Sequence, residues 1–92
     1  MIPDLSGVQF LSEFRKTYRK GLLVRCANKY YAAAVPHWQD CEPHWIACVY
    51  RRSGTTNIEL TAQSDPEFDY EGPALQWAIN QALDQDRQED KQ

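Results

Sequence analysis

The sequence predicts an α+β domain, a two-layer sandwich in the order helix, three- or four-stranded antiparallel sheet, helix, with both helices on one face of the sheet. Three observations carry this. Apolar residues recur at helical spacing near both ends, in Val8, Leu11, Phe14 and Tyr18 and again in Leu75, Ala78, Ile79, Ala82 and Leu83. Between them, from Leu22 to Gln63, branched and aromatic residues alternate as in strands. Each helix offers a single apolar stripe, most simply buried on the same side of the sheet.

The first helix is expected over Gly7 to Lys20. Ser6 and Gln9 have capping-box spacing, the last turn is basic, and Gly21 stands where a left-handed terminating residue is wanted. Leu22 to Ala27 and Tyr30 to Val35 together would make an unusually long strand, so a break at Asn28-Lys29 is expected. Pro36 to Pro43 reads as a loop. From His44 to Arg52, Ile46, Cys48 and Tyr50 point one way and Trp45, Ala47 and Val49 the other, which suits a central strand or one covered by a partner. Ser53-Gly54 makes a two-residue turn into Thr55 to Gln63, where Ile58, Leu60 and Ala62 line the dry face. Ser64 to Pro73 is a polar acidic loop, and Pro73 sits in the first turn of the last helix.

Ninety-two residues, 42% of them hydrophobic, suffice for one compact domain, assigned to residues 1–83. Residues 84–92 read as a disordered acidic C-terminal tail. Met1-Ile2-Pro3-Asp4 has no basic region followed by an apolar run, so no signal peptide is expected. The longest apolar run is the six residues Tyr30 to Val35, against the roughly 20 needed to cross a bilayer. Three cysteines form no disulfide framework, which makes a cytoplasmic protein with free thiols the economical expectation.

Charge is divided unevenly along the chain. Residues 1–52 carry eight basic groups against four acidic ones, a balance of +4, and residues 53–92 carry two against nine, a balance of −7. Either the two halves form complementary faces of one fold, or a basic patch meets an anionic partner.

The segment at residues 36–48 repeats Pro-His-Trp as Pro36-His37-Trp38 and Pro43-His44-Trp45, with Cys41 and Cys48 at matching offsets. His and Cys are the residue types that ligate zinc. On an extended strand His44 and Cys48 would stand about 13 Å apart, too far for one ion. His37, Cys41 and His44, with Cys26 across the sheet, are what is left as candidate ligands. The plainer expectation is no metal and no cofactor, with Cys26 and Cys48 as small core residues. A Cys-His nucleophile oriented by Asp40 would need a pocket that strands this short do not supply, so a non-enzymatic protein is expected. The four glycines, Gly7, Gly21, Gly54 and Gly72, are isolated and form no phosphate loop.

The element order is similar to that of a double-stranded RNA-binding domain, which grips phosphates with a basic cluster at the start of its last helix. Here that place reads Asp65-Pro66-Glu67-Phe68-Asp69-Tyr70-Glu71, which would repel a backbone, and the similarity is one of order alone. Trp77, about 200° round the helix from Leu75, is expected to face water. These observations favour a small module that binds another protein, as an adaptor, regulator or inhibitor, through Trp38, Phe68, Tyr70, Trp77 and the acidic loop. A separate basic patch is formed by Arg15, Lys16, Arg19 and Lys20. It makes nucleic acid the rival partner, with a metal or thiol site at residues 36–48 as the third possibility. Aromatics on both sheet faces, with too few helices to cover them, also raise the expectation of a homo-oligomer. No membrane partner is expected.

Overall fold

The computed structural model describes residues 5–39 and 41–90. A 3-10 turn (Leu5–Gly7) leads to helix α1 (Leu11–Thr17), strands β1 (Leu22–Arg25), β2 (Tyr30–Gln39), β3 (Glu42–Ser53) and β4 (Asn57–Gln63), and helix α2 (Glu71–Asp90). The strands form one antiparallel sheet in the order β1-β2-β3-β4. Asp40 lies outside the described residues, as do residues 1–4 and 91–92.

The helices do not share a face. Successive residues of a strand point to opposite sides of a sheet, and the core divides accordingly. Ala33, Val35, Ile46, Cys48, Tyr50 and Ile58 pack with Leu5, Val8 and Phe14, whereas Ala32, Ala34, Ala47 and Val49 pack with Ala74, Ala78 and Ala82. The 3-10 turn and α1 therefore cover one side and α2 the other, so the two-layer expectation is corrected to three layers. β3 is buried on both faces because each helix supplies one cover, and of the sheet aromatics Tyr30 and Tyr50 are buried and Tyr31 and Trp45 half-buried.

The second correction concerns α2. The helix rests on Ala74, Ala78 and Ala82, all fully buried, with Leu75 and Ile79 on one flank and Trp77 on the other. The sheet beneath presents mostly alanine, so the backbone approaches closely and the large side chains are displaced to the sides. Of the expected stripe, Ala78 and Ala82 are fully buried and Leu75 and Ile79 pack beside them, whereas Leu83 is exposed and Trp77, expected to face water, is half-buried against this layer. Nor is the chain a disordered tail after residue 83. α2 continues to Asp90, and Glu89 accepts hydrogen bonds from the Tyr30 hydroxyl at 2.7 Å and the Arg51 guanidinium at 2.5 Å. This pair holds the Glu89 carboxyl down at about 2, Arg51 being the larger cause.

The first helix is shorter than expected because its opening residues serve the sheet. The Ile58 N–H donates to the Gln9 carbonyl at 2.9 Å and the Leu11 N–H to the Thr56 carbonyl at 3.1 Å, so residues 9–11 run beside the outer edge of β4. Gly21 is required for close approach and not for a left-handed turn. A Cβ there would stand 3.2 Å from Phe14 Cζ and 3.3 Å from the Ala34 carbonyl oxygen. Gly54, with φ of 75°, does take the left-handed form, in a three-residue turn between Ser53 and Asn57. A bulge also splits the expected dry face of β4. Val49 pairs with Ala62 and Tyr50 with Leu60, so Ala62 joins the α2 layer while Ile58 and Leu60 join the α1 layer.

The expected loop at residues 36–43 is the outer half of a long β2–β3 hairpin. His37 pairs with His44, Pro36 with Trp45, and Trp38 with Pro43. The Arg52 N–H bonds the Lys29 carbonyl just ahead of β2, which by alternation makes Tyr31, Ala33, Val35 and His37 the residues of β2 that bond to β3. Pro36 and Pro43 fall on the alternate positions that face away from the hairpin. Neither removes a bond from its ladder.

Candidate functional site

The β2–β3 hairpin outgrows its neighbours. β1 stops at the Leu22–Ala34 pair, so Val35 to Gln39 of β2 project past it beside the end of α1. There Lys16 to Lys20 face Val35, Pro36 and Trp38 across a notch of about 310 Å³. Trp38 is 57% exposed, and the Lys20 ammonium stands 5.7 Å from the centre of its ring, within cation–π range. Two residue sets that looked independent in the sequence, an exposed tryptophan and a basic helix end, thus form one surface. It continues along β1. A cavity of about 300 Å³ is lined by Phe14, Arg15, Tyr18, Arg19, Gly21, Leu22 and Leu23. The next, of about 440 Å³, adds Leu11, Arg25 and Tyr31. Arg15 and Leu23 border both cavities, which makes them one groove between α1 and β1.

Sequence reasoning missed Leu11, Leu23 and Tyr31 as lining residues. Their signal was present in a run of only four strand residues ending in arginine, a length that leaves an edge beside the basic helix, but edge position is not written in any single residue.

The remaining candidates separate. Tyr70 is 73% exposed, ahead of α2 on the acidic segment. Phe68 and Trp77 are half-buried in the α2 layer, and Phe68 is bridged to β3 by the Trp45 N–H bonding its carbonyl at 2.6 Å. Ser64 Oγ accepts from the Ala47 N–H at 2.9 Å, so the acidic loop is tied along β3 on the side opposite the basic notch.

His37 and His44 meet across the hairpin, and His44 Nδ1 lies 3.8 Å from an Asp69 carboxylate oxygen. Cys41 sits exposed at the tip with φ of 68°, three residues beyond His44, hence about 10 Å along the strand. Cys26 sits beside Tyr30 at the other end of β2, seven residues from His37 or about 23 Å. Among the described residues no three His, Cys, Asp or Glu side chains converge as a cation site. Cys48 is buried, and desolvation pushes its thiol up to about 12; burial also raises that of Cys26. Neither thiol is prepared as a nucleophile.

Among the described residues no helix is long and apolar enough to cross a membrane. No protein family, curated protein or solved structure matches the chain.

Proposed function

We propose that the protein is a non-enzymatic module that binds another protein, and that it does so on the α1 side, where an acidic segment of the partner docks against Trp38 and the cations of Lys16, Arg19 and Lys20. The observation that supports it best is the exposed Trp38 lying beneath Lys20 at an open notch. A large aromatic beside desolvatable cations is the composition in which interfaces concentrate their energy. Of the four aromatics considered, Phe68 and Trp77 serve the chain's own packing, and Tyr70 stands among carboxylates that would repel the same partner. Nucleic acid competes for the same cations. Tight phosphate binding needs an extended track of about six to ten contacts. Among the described residues the cations that line the α1 side are five, Arg15, Lys16, Arg19, Lys20 and Arg25, and the acidic Asp65–Glu71 segment occupies the other edge of the hairpin.

The test is binding of a fluorescent peptide with the repeat valine-serine-glutamate-serine, measured by anisotropy against wild-type protein, Trp38→Ala and the double variant Arg19→Glu, Lys20→Glu. Each variant should weaken binding by on the order of 2 kcal/mol, about 30-fold, while changing stability by less than roughly 0.5 kcal/mol. Unchanged affinity in both variants refutes the assignment, as does tighter binding of a single-stranded oligonucleotide than of the peptide.

A further inference from the structure

The two edges of the sheet are treated differently. β4 is covered on its outer side by residues 9–11, whereas among the described residues nothing pairs with the outer side of β1. The Cys26 N–H bonds the Tyr30 carbonyl, so by alternation Val24 and Leu22 also bond to β2, and Leu23 and Arg25 direct their N–H and C=O groups outward. An open edge is a template for another strand, which proteins ordinarily blunt or cover. This one lies in the groove between α1 and β1. Its floor is Leu11, Phe14, Tyr18 and Leu23, and its rim carries Arg15 and Arg19. Among the described residues neither arginine is in an ion pair.

We infer that the partner's segment binds by strand addition. An extended acidic peptide becomes a fifth strand on β1, exchanging backbone hydrogen bonds with Leu23 and Arg25, while the residues that share its α1 face, two apart in sequence, place apolar side chains in the groove and carboxylates against Arg15 and Arg19 at the rim. This rests on the protein-binding reading above and gives it a mode and a partner chemistry. Backbone pairing supplies affinity that tolerates sequence variation, and the groove with its rim supplies selection for apolar and acidic residues two apart in sequence. Outward carbonyls at Leu23 and Arg25 suit an amide partner and repel a phosphate backbone. Arg25 helps to hold the edge straight, because its guanidinium donates to the Asn28 carbonyl and side-chain oxygens at 3.2 Å, closing the turn into β2.

The experiment uses the full chain and three versions of the valine-serine-glutamate-serine peptide, one unmodified, one N-methylated at each valine and glutamate and one at each serine, so that for either strand direction one version loses the donors that face β1. Anisotropy gives affinity, and amide hydrogen exchange read by NMR reports Leu23 and Arg25. The unmodified peptide should slow exchange at both amides about tenfold or more at saturation, and one of the two N-methylated versions should bind at least about tenfold more weakly. Binding without protection of these amides, insensitive to N-methylation, would overturn strand addition and leave docking at Trp38 standing. Absence of binding up to about 1 mM would remove both. Protection that rises with protein concentration in the absence of peptide would assign the edge to a second copy of the chain and overturn the heterologous partner.

Discussion

Replacing Ala78 by leucine should destabilise the protein, although leucine is the more hydrophobic residue and nearly as good a helix former. Ala74, Ala78 and Ala82 are fully buried against Ala32, Ala34, Ala47 and Val49. If the interface had room, three added carbon atoms would gain about 0.8 kcal/mol each, roughly 2.4 kcal/mol in all. With alanine facing alanine there is none, and the helix must lift or the leucine must leave its rotamer, at about 1–3 kcal/mol. The two outcomes differ in sign. A domain of this length has only about 5–14 kcal/mol in total, so the change is readily measured. Urea unfolding followed by circular dichroism, with the slope checked for constancy, gives the difference. Trp77→Ala is the companion: a fully buried tryptophan would cost about 3–5 kcal/mol, and one half-buried on the flank about 2 kcal/mol. A stabilised Ala78→Leu together with a neutral Trp77→Ala would mean that the helix faces the sheet through Leu75 and Ile79 after all.

The Glu89 anchor should be sensitive to acid. Its carboxyl lies at about 2 against an ordinary 4.5, so the contribution is present above pH 4.5 and is lost as the pH falls through 2. Amide protection near the end of α2, taken relative to the intrinsic exchange rate at each pH, should therefore fall across that window in the wild type and change less in Glu89→Gln; identical profiles would refute the anchor. The thiols should react in a fixed order. Iodoacetamide at pH 8, followed by mass spectrometry, should label exposed Cys41 first and leave buried Cys48 unmodified until denaturant is added. Native Cys48 reacting as fast as Cys41 would contradict the packing of β3.

The order of elements was legible because each has a period of its own, and the places where it misled share a cause. Pro36 and Pro43 read as loop residues, yet strands run through both. Proline harms a ladder only where its missing N–H was owed to a neighbour, and a seven-residue repeat folded so that Gln39 pairs with Glu42 sets both prolines on outward positions. The bulge at Thr61 likewise moved Ala62 to the opposite face without a glycine or proline to announce it. Ser6 and Gln9 have capping-box spacing, but an unpaired β4 edge gave that stretch of backbone another partner. In each case the outcome turned on a residue distant in sequence, which local periodicity does not contain.

The layering was also present in the sequence, as a difference in size. Ile46, Cys48 and Tyr50 alternate with Trp45, Ala47 and Val49 on β3, and on β2 the same sides carry Tyr31, Ala33 and Val35 against Ala32 and Ala34. A sheet that is apolar on both faces has to be covered twice, and each helix matches one face by volume. The seven residues of α1 reach inward with Phe14, whose ring lies 5.9 Å from that of Tyr50. The alanines of α2 lie close on a face of alanines. With both covers committed to the middle of the sheet, the outer half of the β2–β3 hairpin has the segment after α1 beside its β2 edge and the Phe68–Asp69 segment beside its β3 edge. Trp38 is exposed there for that reason, whereas Trp45 and Trp77 are partly sheltered by α2. Its exposure follows from the geometry of the layers, and the cations at the end of α1 give that exposed ring a charge of one sign to offer a partner.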